Sequence, residues 1–309
     1  MTTVFSHTAC LGHNMGEGHP ERPARMDAVE QALQTEGLAG RLVRRNAERA
    51  TLDCIGLMHP QKYIEQIVAS VPSSGVTRLD ADTCLSPGSL EAALRAVGAA
   101  CSAVDEVILG ESKNAFCAVR PPGHHAETNK AMGFCIFNTV AIAAAYARQK
   151  YGVERVAVID FDVHHGNGTQ EMFWSDQNLL FASTHQMPLY PGTGSKNERG
   201  EFDNIVNCPL IEGDGSSEFR AAISDVILPG LVTFQPDLLL VSAGFDAHMN
   251  DPLAGLNLQD DDYAWVTKQL LEIADKFTNG RLISTLEGGY DLSALSSSVA
   301  SHVEELLQV

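Results

Sequence analysis

Three residues at alternate positions, Asp160, Asp162 and His164, carry the most legible chemistry in this 309-residue chain. On an extended segment, alternate side chains share a face. Asp162 and His164 are therefore able to address one ion, and Asp246, at the end of a separate apolar run, is placed to supply a third ligand. Two carboxylates and one neutral imidazole suit a catalytic zinc that keeps a coordination position open. Fe(II) accepts the same ligand set, so the donors alone do not fix the metal. Asp160 shares the face but would overload a three-ligand site with negative charge. It is read instead as the carboxylate that orients a catalytic histidine by accepting from its ring.

Two adjacent histidines, His124 and His125, follow Pro121, Pro122 and Gly123. The prolines stiffen the approach and the glycine permits an unusual backbone angle. One imidazole of such a pair, titrating near neutrality, takes a proton from an attacking water and returns it to a leaving amine. His165 is the blander case, since its neighbour His164 faces the metal and its own ring should turn away and pack. Gly288-Gly289-Tyr290 sets a phenol on a yielding loop, where its hydroxyl is able to stabilise a developing oxyanion. Without this context each piece has an ordinary structural reading: solvated acids, a hydrogen-bonded histidine pair, a turn with a packed aromatic.

The elements that must position these groups are short apolar runs alternating with helical patterns, the mark of an α/β fold with a largely parallel sheet covered by helices on both faces. Strands are expected at Ala115–Val119, Val156–Ile159, Leu179–Ser183, Leu238–Ser242 and Leu282–Thr285. Each is followed by candidate chemistry: Arg120-Pro-Pro-Gly-His-His125, Asp160-Phe-Asp-Val-His-His165, His185, Gly244-Phe-Asp246 and Glu287-Gly-Gly-Tyr290. Open α/β sheets bind ligands at the carboxyl ends of their strands. A helix is expected over 89–109, capped by Ser89 and ended by Gly110, with Leu90, Leu94, Val97, Cys101, Val104 and Ile108 at helical spacing. Others are expected from Pro23, with Met26, Val29 and Leu33 on one face, and near 138–150, 216–234, 260–278 and 292–308.

No repeat or linker divides the chain, which reads as one domain over 1–309 with enough length to bury a core without disulfides. The seven cysteines form no CxxC pair and are expected to be reduced, mostly buried thiols of a cytoplasmic protein. The N-terminal residues lack a secretory pattern and no apolar run reaches the ~18–20 residues of a membrane span. A net charge of −18 disfavours nucleic acid as a partner and draws cationic ligands. Oligomeric state is not legible.

Taken together, the segments Gly18-His-Pro-Glu-Arg-Pro-Ala-Arg25, Arg120-Pro-Pro-Gly-His-His-Ala126, Gly133-Phe-Cys-Ile-Phe-Asn138, Asp160-Phe-Asp-Val-His-His-Gly-Asn-Gly-Thr-Gln170, Ser242-Ala-Gly-Phe-Asp246 and Leu286-Glu-Gly-Gly-Tyr290 resemble the histone deacetylase family. The likeness is to its class II type, the group that includes bacterial deacetylase-like amidohydrolases and acetylpolyamine amidohydrolases, and it covers nearly the whole chain. The resemblance implies an arginase/deacetylase-like fold and one zinc on Asp162, His164 and Asp246. It implies His125 as general base and acid, His124 as an electrostatic partner held by Asp160, and Asn167 as the residue orienting His125. Tyr290 would polarise the acetyl carbonyl. Phe134 and Tyr190 resemble the aromatic walls of a lysine tunnel, the second position being more often Phe in relatives. Gly133 would face the amide and Arg25 would lie below the acetyl pocket. A structural potassium near Asp160, Asp162, His164 and Ser183 is implied too.

The expected activity is removal of acetyl or other acyl groups from lysine side chains of peptides. Acetylpolyamine deacetylation is the alternative. Relatives that prefer polyamines carry a Glu in the loop after the metal-binding Asp, and the matching position here is Leu253. Asp80, Asp82 and Glu17 remain as acids that could reach the rim. Two further readings are a silent acyl-lysine binding module, which Tyr290 argues against, and a two-manganese hydrolase of the arginase fold. A serine hydrolase is disfavoured, since no G-x-S-x-G elbow occurs.

Overall fold

The computed structural model describes residues 1–35 and 37–308. Residues 36 and 309, which the one-domain reading includes, lie outside the described residues. Among the described residues, eight strands form one wholly parallel sheet: β1 (Thr2–Ser6), β2 (Val43–Asn46), β5 (Asn114–Cys117), β6 (Val156–Asp160), β7 (Leu179–Gln186), β8 (Ile205–Leu210), β9 (Leu238–Ala243) and β10 (Leu282–Leu286). Their spatial order is β2-β1-β5-β10-β9-β6-β7-β8. A two-stranded antiparallel ribbon, β3 (Thr77–Arg78) with β4 (Cys84–Leu85), stands apart from it. The α-helices among the described residues are α1 (Ala24–Leu33), α2 (Leu52–Ile55), α3 (Gln61–Ser70), α4 (Ser89–Leu109), α5 (Thr139–Tyr151), α6 (Asn167–Phe173), α7 (Ser216–Ala222), α8 (Leu228–Phe234), α9 (Asp260–Phe277) and α10 (Leu292–Leu306).

Because successive strand side chains point to opposite faces, each apolar run feeds two cores at once. Val4, Phe116, Ile159 and Val241 pack with α1, α9 and α10 on one face. Phe5, Ala115, Val158 and Leu240 pack with α4 and α5 on the other. A third cluster, around Tyr63, Leu94 and Phe137, joins α3 to α4 and to the loop before α5. That double burial is why the strands read as continuous apolar runs rather than as alternating ones.

All five expected strands form, and they are neighbours at the sheet centre in the order β5-β10-β9-β6-β7. Their register aligns the carboxyl ends: Cys117 pairs with Thr285, Thr285 with Ser242, and Asp160 with both Ser242 and Ser183. The five segments of candidate chemistry therefore leave one edge of the sheet side by side.

Helices α2, α3 and α6 are not among those expected, and two of the expected helices differ in detail. Ser89 is not the cap of α4; Gly88 is, while the buried Ser89 hydroxyl accepts from the Ser86 N–H at 2.7 Å. Gly110 does end α4, at φ 79°, the left-handed angle that costs glycine nothing. The helix expected over 216–234 is α7 and α8 joined through a π-helical turn, Ile223–Ile227, the form that absorbs an extra residue within a helix. All seven cysteines are free thiols, six of them buried. Among the described residues no helix is long and apolar enough to cross a membrane.

Candidate active site

Asp162, His164 and Asp246 converge. All three are buried, and each offers a ligand atom within 4.8 Å of the others. His164 Nδ1 lies 3.0 Å from Asp246 Oδ2 and 3.3 Å from Asp162 Oδ1. Other lone pairs of the carboxylates are held by backbone. Asp162 accepts from the N–H groups of His164 (2.9 Å) and Gly288 (2.8 Å), and Asp246 accepts from Val163 N–H (2.8 Å). The approach is so close that a Cβ on Gly244 would strike the Asp162 carboxylate, and one on Gly288 would strike that of Asp246. Two buried carboxylates facing each other across one imidazole are short of positive charge, and a divalent ion with mixed N and O preference fits this donor set. Among the described residues it is the only such cluster.

Asp160 does not enter it. Its Oδ2 is 2.9 Å from His124 Nδ1 and its Oδ1 accepts from Asp162 N–H at 3.0 Å. His125 Nδ1 is 2.8 Å from Asn167 Oδ1. The two histidine rings are 4.0 Å apart. Their environments nevertheless push them in opposite directions. Burial disfavours charge on His124, but Asp160, Asp162 and Glu287 outweigh it and hold that imidazole well above its usual range. On His125, burial together with the nearby His124 and His164 presses the imidazole well below it. The two imidazoles thus stand in opposed electrostatic surroundings although they are neighbours. His165 takes the structural part expected of it: its ring nitrogens meet Thr193 Oγ1 at 2.8 Å and Gln170 Oε1 at 3.0 Å.

Tyr290 is buried beside Phe134, with ring centroids 5.8 Å apart. Burial raises its hydroxyl well above the ordinary phenol range, so it is a proton donor in hydrogen bonds. Phe134 adopts φ 69° just after Gly133 at φ 56°. The pair turns tightly over His125, where a Cβ on Gly133 would collide with the imidazole. The Tyr190 ring also stands edge-on to His125, at 5.2 Å, and is 38% exposed at the mouth. Leu253 is half-buried, its N–H bonded to Asp251 Oδ1 at 3.0 Å. Ser183 Oγ pairs with His185 Nδ1 at 2.9 Å.

Arg25 is fully buried under the Tyr290 ring, its guanidinium carbon 5.0 Å from the ring centroid. It donates to Gly289 O at 2.6 Å, Glu287 O at 2.5 Å and Glu21 Oε1 at 3.2 Å. It therefore splints the tyrosine loop from below. The supporting roles of three acids escaped the sequence reading. Glu21 accepts from both Arg25 and Arg120; burial would raise its carboxyl, but Arg120, His13 and Arg25 hold it down at about 2. The Glu287 side chain accepts from the N–H groups of Gly123 (2.6 Å) and His124 (3.2 Å), fixing the histidine loop. Asp251 accepts from Tyr290 N–H at 2.7 Å. Glu21 and Glu287 stand within the segments 18–25 and 286–290, and Asp251 in the loop after Asp246, but the sequence carries no signal of what they hold. A capacious groove between β8 and α8 carries none of these groups, so size is no guide to the chemistry.

A parallel sheet that gathers an Asp-His-Asp cluster, a histidine pair and a tyrosine at its carboxyl edge is the frame of a deacetylase-type amidohydrolase. Residues 19–306 match the histone deacetylase domain, and the chain belongs to that family. It is 42% identical to an uncharacterized protein of Synechocystis over 99% of this chain and 100% of that one. It is 37% identical to the histone deacetylase-like amidohydrolase of Pseudomonas aeruginosa, over 99% of this chain and 86% of the relative. The crystal structure of the HDA15 HD domain superposes with a TM-score of 0.94 at 34% identity, covering 99% of this chain and 88% of the other.

Proposed function

We propose that this protein is a zinc-dependent deacetylase that hydrolyses the acyl amide of lysine side chains. The observation that carries the proposal is the Asp162–His164–Asp246 cluster lying against a histidine pair whose ring Nδ1 atoms are held by Asp160 and Asn167. Zinc held there would supply Lewis acidity toward water and the amide carbonyl. The remaining steps belong to the chain. His125, neutral and with Nδ1 engaged by Asn167, takes the proton of the attacking water at Nε2 and returns it to the leaving amine. His124, kept cationic by Asp160, favours the negative charge that develops. Tyr290 donates to the carbonyl oxygen as it becomes an oxyanion. Gly133, Phe134 and Tyr190 enclose a slim apolar stem. A potassium beside Asp160 and Ser183 belongs to the same proposal.

A second reading, acetylpolyamine deacetylation, has one observation in its favour: Asp82 Oδ1 accepts from Gly133 N–H at 3.3 Å, and burial and then Asp82 push the Tyr190 hydroxyl up, so an acid stands beside both residues. The half-buried apolar Leu253 favours a peptide. The deciding experiment is a turnover panel of acetyl-lysine peptides, acetylpolyamines and longer acyl-lysines on protein of measured metal content. Turnover of peptides, lost on chelation and restored by Zn²⁺ at one ion per chain, is expected. Turnover in metal-free protein would refute the mechanism. Binding without turnover would leave a silent acyl-lysine module, and two ions per chain would favour the arginase-type chemistry.

A further inference from the structure

An asparagine side chain fits its site almost equally well either way round, because its oxygen and nitrogen are nearly the same size. At Asn167 the choice has a chemical consequence. With Oδ1 facing His125 Nδ1 at 2.8 Å, that ring nitrogen must carry a hydrogen, and a neutral imidazole then keeps a bare lone pair on Nε2. With the amide reversed, Nδ1 would have to accept, Nε2 would carry the hydrogen, and His125 would have nothing with which to take a proton.

The other end of the amide decides between the two. Asn167 Nδ2 lies 2.7 Å from Glu127 Oε1. Its remaining neighbours are Met132 Sδ at 3.4 Å, a weak acceptor, and His125 O at 3.5 Å, the limit of a hydrogen bond. An ionised carboxylate only accepts, so it tolerates the amide nitrogen and rejects the oxygen. Glu127 is itself well placed for this. It opens a tight hairpin, its N–H donating to Lys130 O at 3.0 Å and its carbonyl accepting from Lys130 N–H at 3.3 Å. Just before it, Ala126 O accepts from Asn138 Nδ2 at 3.3 Å. A backbone pinned on both sides leaves the half-buried side chain to reach back to Asn167.

We propose that Glu127 is a positioning residue that fixes the Asn167 amide, and through it the His125 tautomer with a bare Nε2. The inference rests on the reading of His125 as proton acceptor. It extends that reading by one residue, from the imidazole and its amide to a carboxylate that touches neither substrate nor metal.

The test is a charge series at position 127 in the zinc-loaded protein, read by kinetics and by ¹⁵N spectra of histidine-labelled protein. The His125 signals are assigned by their loss in His125→Ala. Glu127→Gln retains an acceptor oxygen and should stay within about threefold of wild type. Glu127→Ala leaves only the weak acceptors and should lower kcat by roughly 5–10-fold with KM little changed, the scale of one ordinary hydrogen bond. Glu127→Lys presents only donors, invites the amide oxygen, and should lower kcat by roughly 100-fold. Glu127→Lys combined with Asn167→Asp should recover at least about tenfold of that loss, because a carboxylate accepts from both the introduced ammonium and His125. A fold defect alone would not be repaired by that second change. The spectra should show a protonated Nδ1 and bare Nε2 in wild type and Glu127→Gln, and the opposite tautomer in Glu127→Lys. Should Glu127→Lys fail to fold, Glu127→Ala still decides. A wild type with a bare Nδ1, an unmoved tautomer and kcat in Glu127→Ala, or a double variant no better than Glu127→Lys would each overturn the proposal. If the wild type turned over no amide at all, the deacetylase reading would fall while the spectra, taken with or without metal, would still decide the role of Glu127.

Discussion

Replacing Arg25 by Met tests whether the tyrosine loop is held by a single buried guanidinium. Methionine keeps most of the stem volume and removes every N–H. Glu21 is not orphaned by the change, because Arg120 still engages both of its oxygens. The losses are the donors to Gly289 O and Glu287 O, two backbone carbonyls that face the fully buried Arg25. An unsatisfied buried acceptor costs about 1–3 kcal/mol, so the pair costs about 2–6 kcal/mol. Removing the surplus positive charge of two arginines on one carboxylate offsets part of this, and we expect a net loss near ~3 kcal/mol in urea unfolding at fixed metal content. The same carbonyls flank Tyr290, whose ring also loses its cationic floor. Losing an oxyanion donor costs about 10²–10³ in kcat. Tyr290→Phe should show that loss in full with KM little changed, and Arg25→Met a part of it, about 10–10². If Arg25 acts through Tyr290, the double variant should fall within about threefold of Tyr290→Phe alone. Multiplying losses would show that Arg25 reaches the chemistry by another route. A destabilised variant with full kcat would reduce Arg25 to a structural part, and an unchanged stability would mean the carbonyls find other donors.

Three further outcomes are expected. His125→Ala should damage kcat more than His124→Ala, since the first loses the proton acceptor and the second a neighbouring charge; the reverse order in steady-state kinetics would exchange the roles. Leu253→Glu should move the kcat/KM ratio of acetyl-lysine peptide to acetylpolyamine toward the polyamine by roughly 1–3 kcal/mol, while a wild type already favouring polyamines would place recognition on the acid beside Tyr190. His302, buried between Thr267 Oγ1 and Ser284 Oγ, is pressed down to about 3 by burial. It stays neutral in the folded protein while an unfolded chain protonates it below about pH 6.5, so its contribution is complete above that pH and is lost as pH falls toward about 3. His302→Gln should cut the pH dependence of unfolding free energy near pH ~5.5 by about one proton, or ~1.4 kcal/mol per pH unit, and an unaltered slope would refute its neutrality.

What the sequence revealed of the sheet was its doubly buried centre. The runs at β5, β6, β7, β9 and β10 are apolar because both faces are covered, and that pattern needs no partner to be legible. Three strands of the sheet escaped notice: β1, which is buried but only five residues long and opens on two threonines, and the two edges. Val43–Asn46 is an exposed edge strand of the composition VRRN, and Ile205–Leu210, the other edge, contains Pro209. Such features read as loop because edges need not be apolar. At the site, the spacing of Asp160, Asp162 and His164 was legible because a strand end has a fixed geometry. The contacts of Glu21 with Arg120, 99 residues apart, and of Glu287 with Gly123, 164 apart, are products of sheet order and leave no local periodicity. Arg25 shows the same boundary. A motif pointed to the residue, but its grip on two carbonyls, 262 and 264 residues away, belongs to the folded chain.

The bare backbone at Gly244 and Gly288 has a further meaning for how the centre is filled. With glycine pressed against each carboxylate and N–H groups pinning their outer oxygens, Asp162 and Asp246 have little rotational freedom left to surrender when an ion arrives. The socket is built by the sheet, unlike small zinc modules whose ligands assemble only around the metal. Under the proposed zinc chemistry, occupancy would be uncoupled from folding, and a chain synthesised during metal shortage would wait as a finished but idle protein. The supply of ions in its surroundings, rather than the rate of folding, would then set the fraction of molecules that are active.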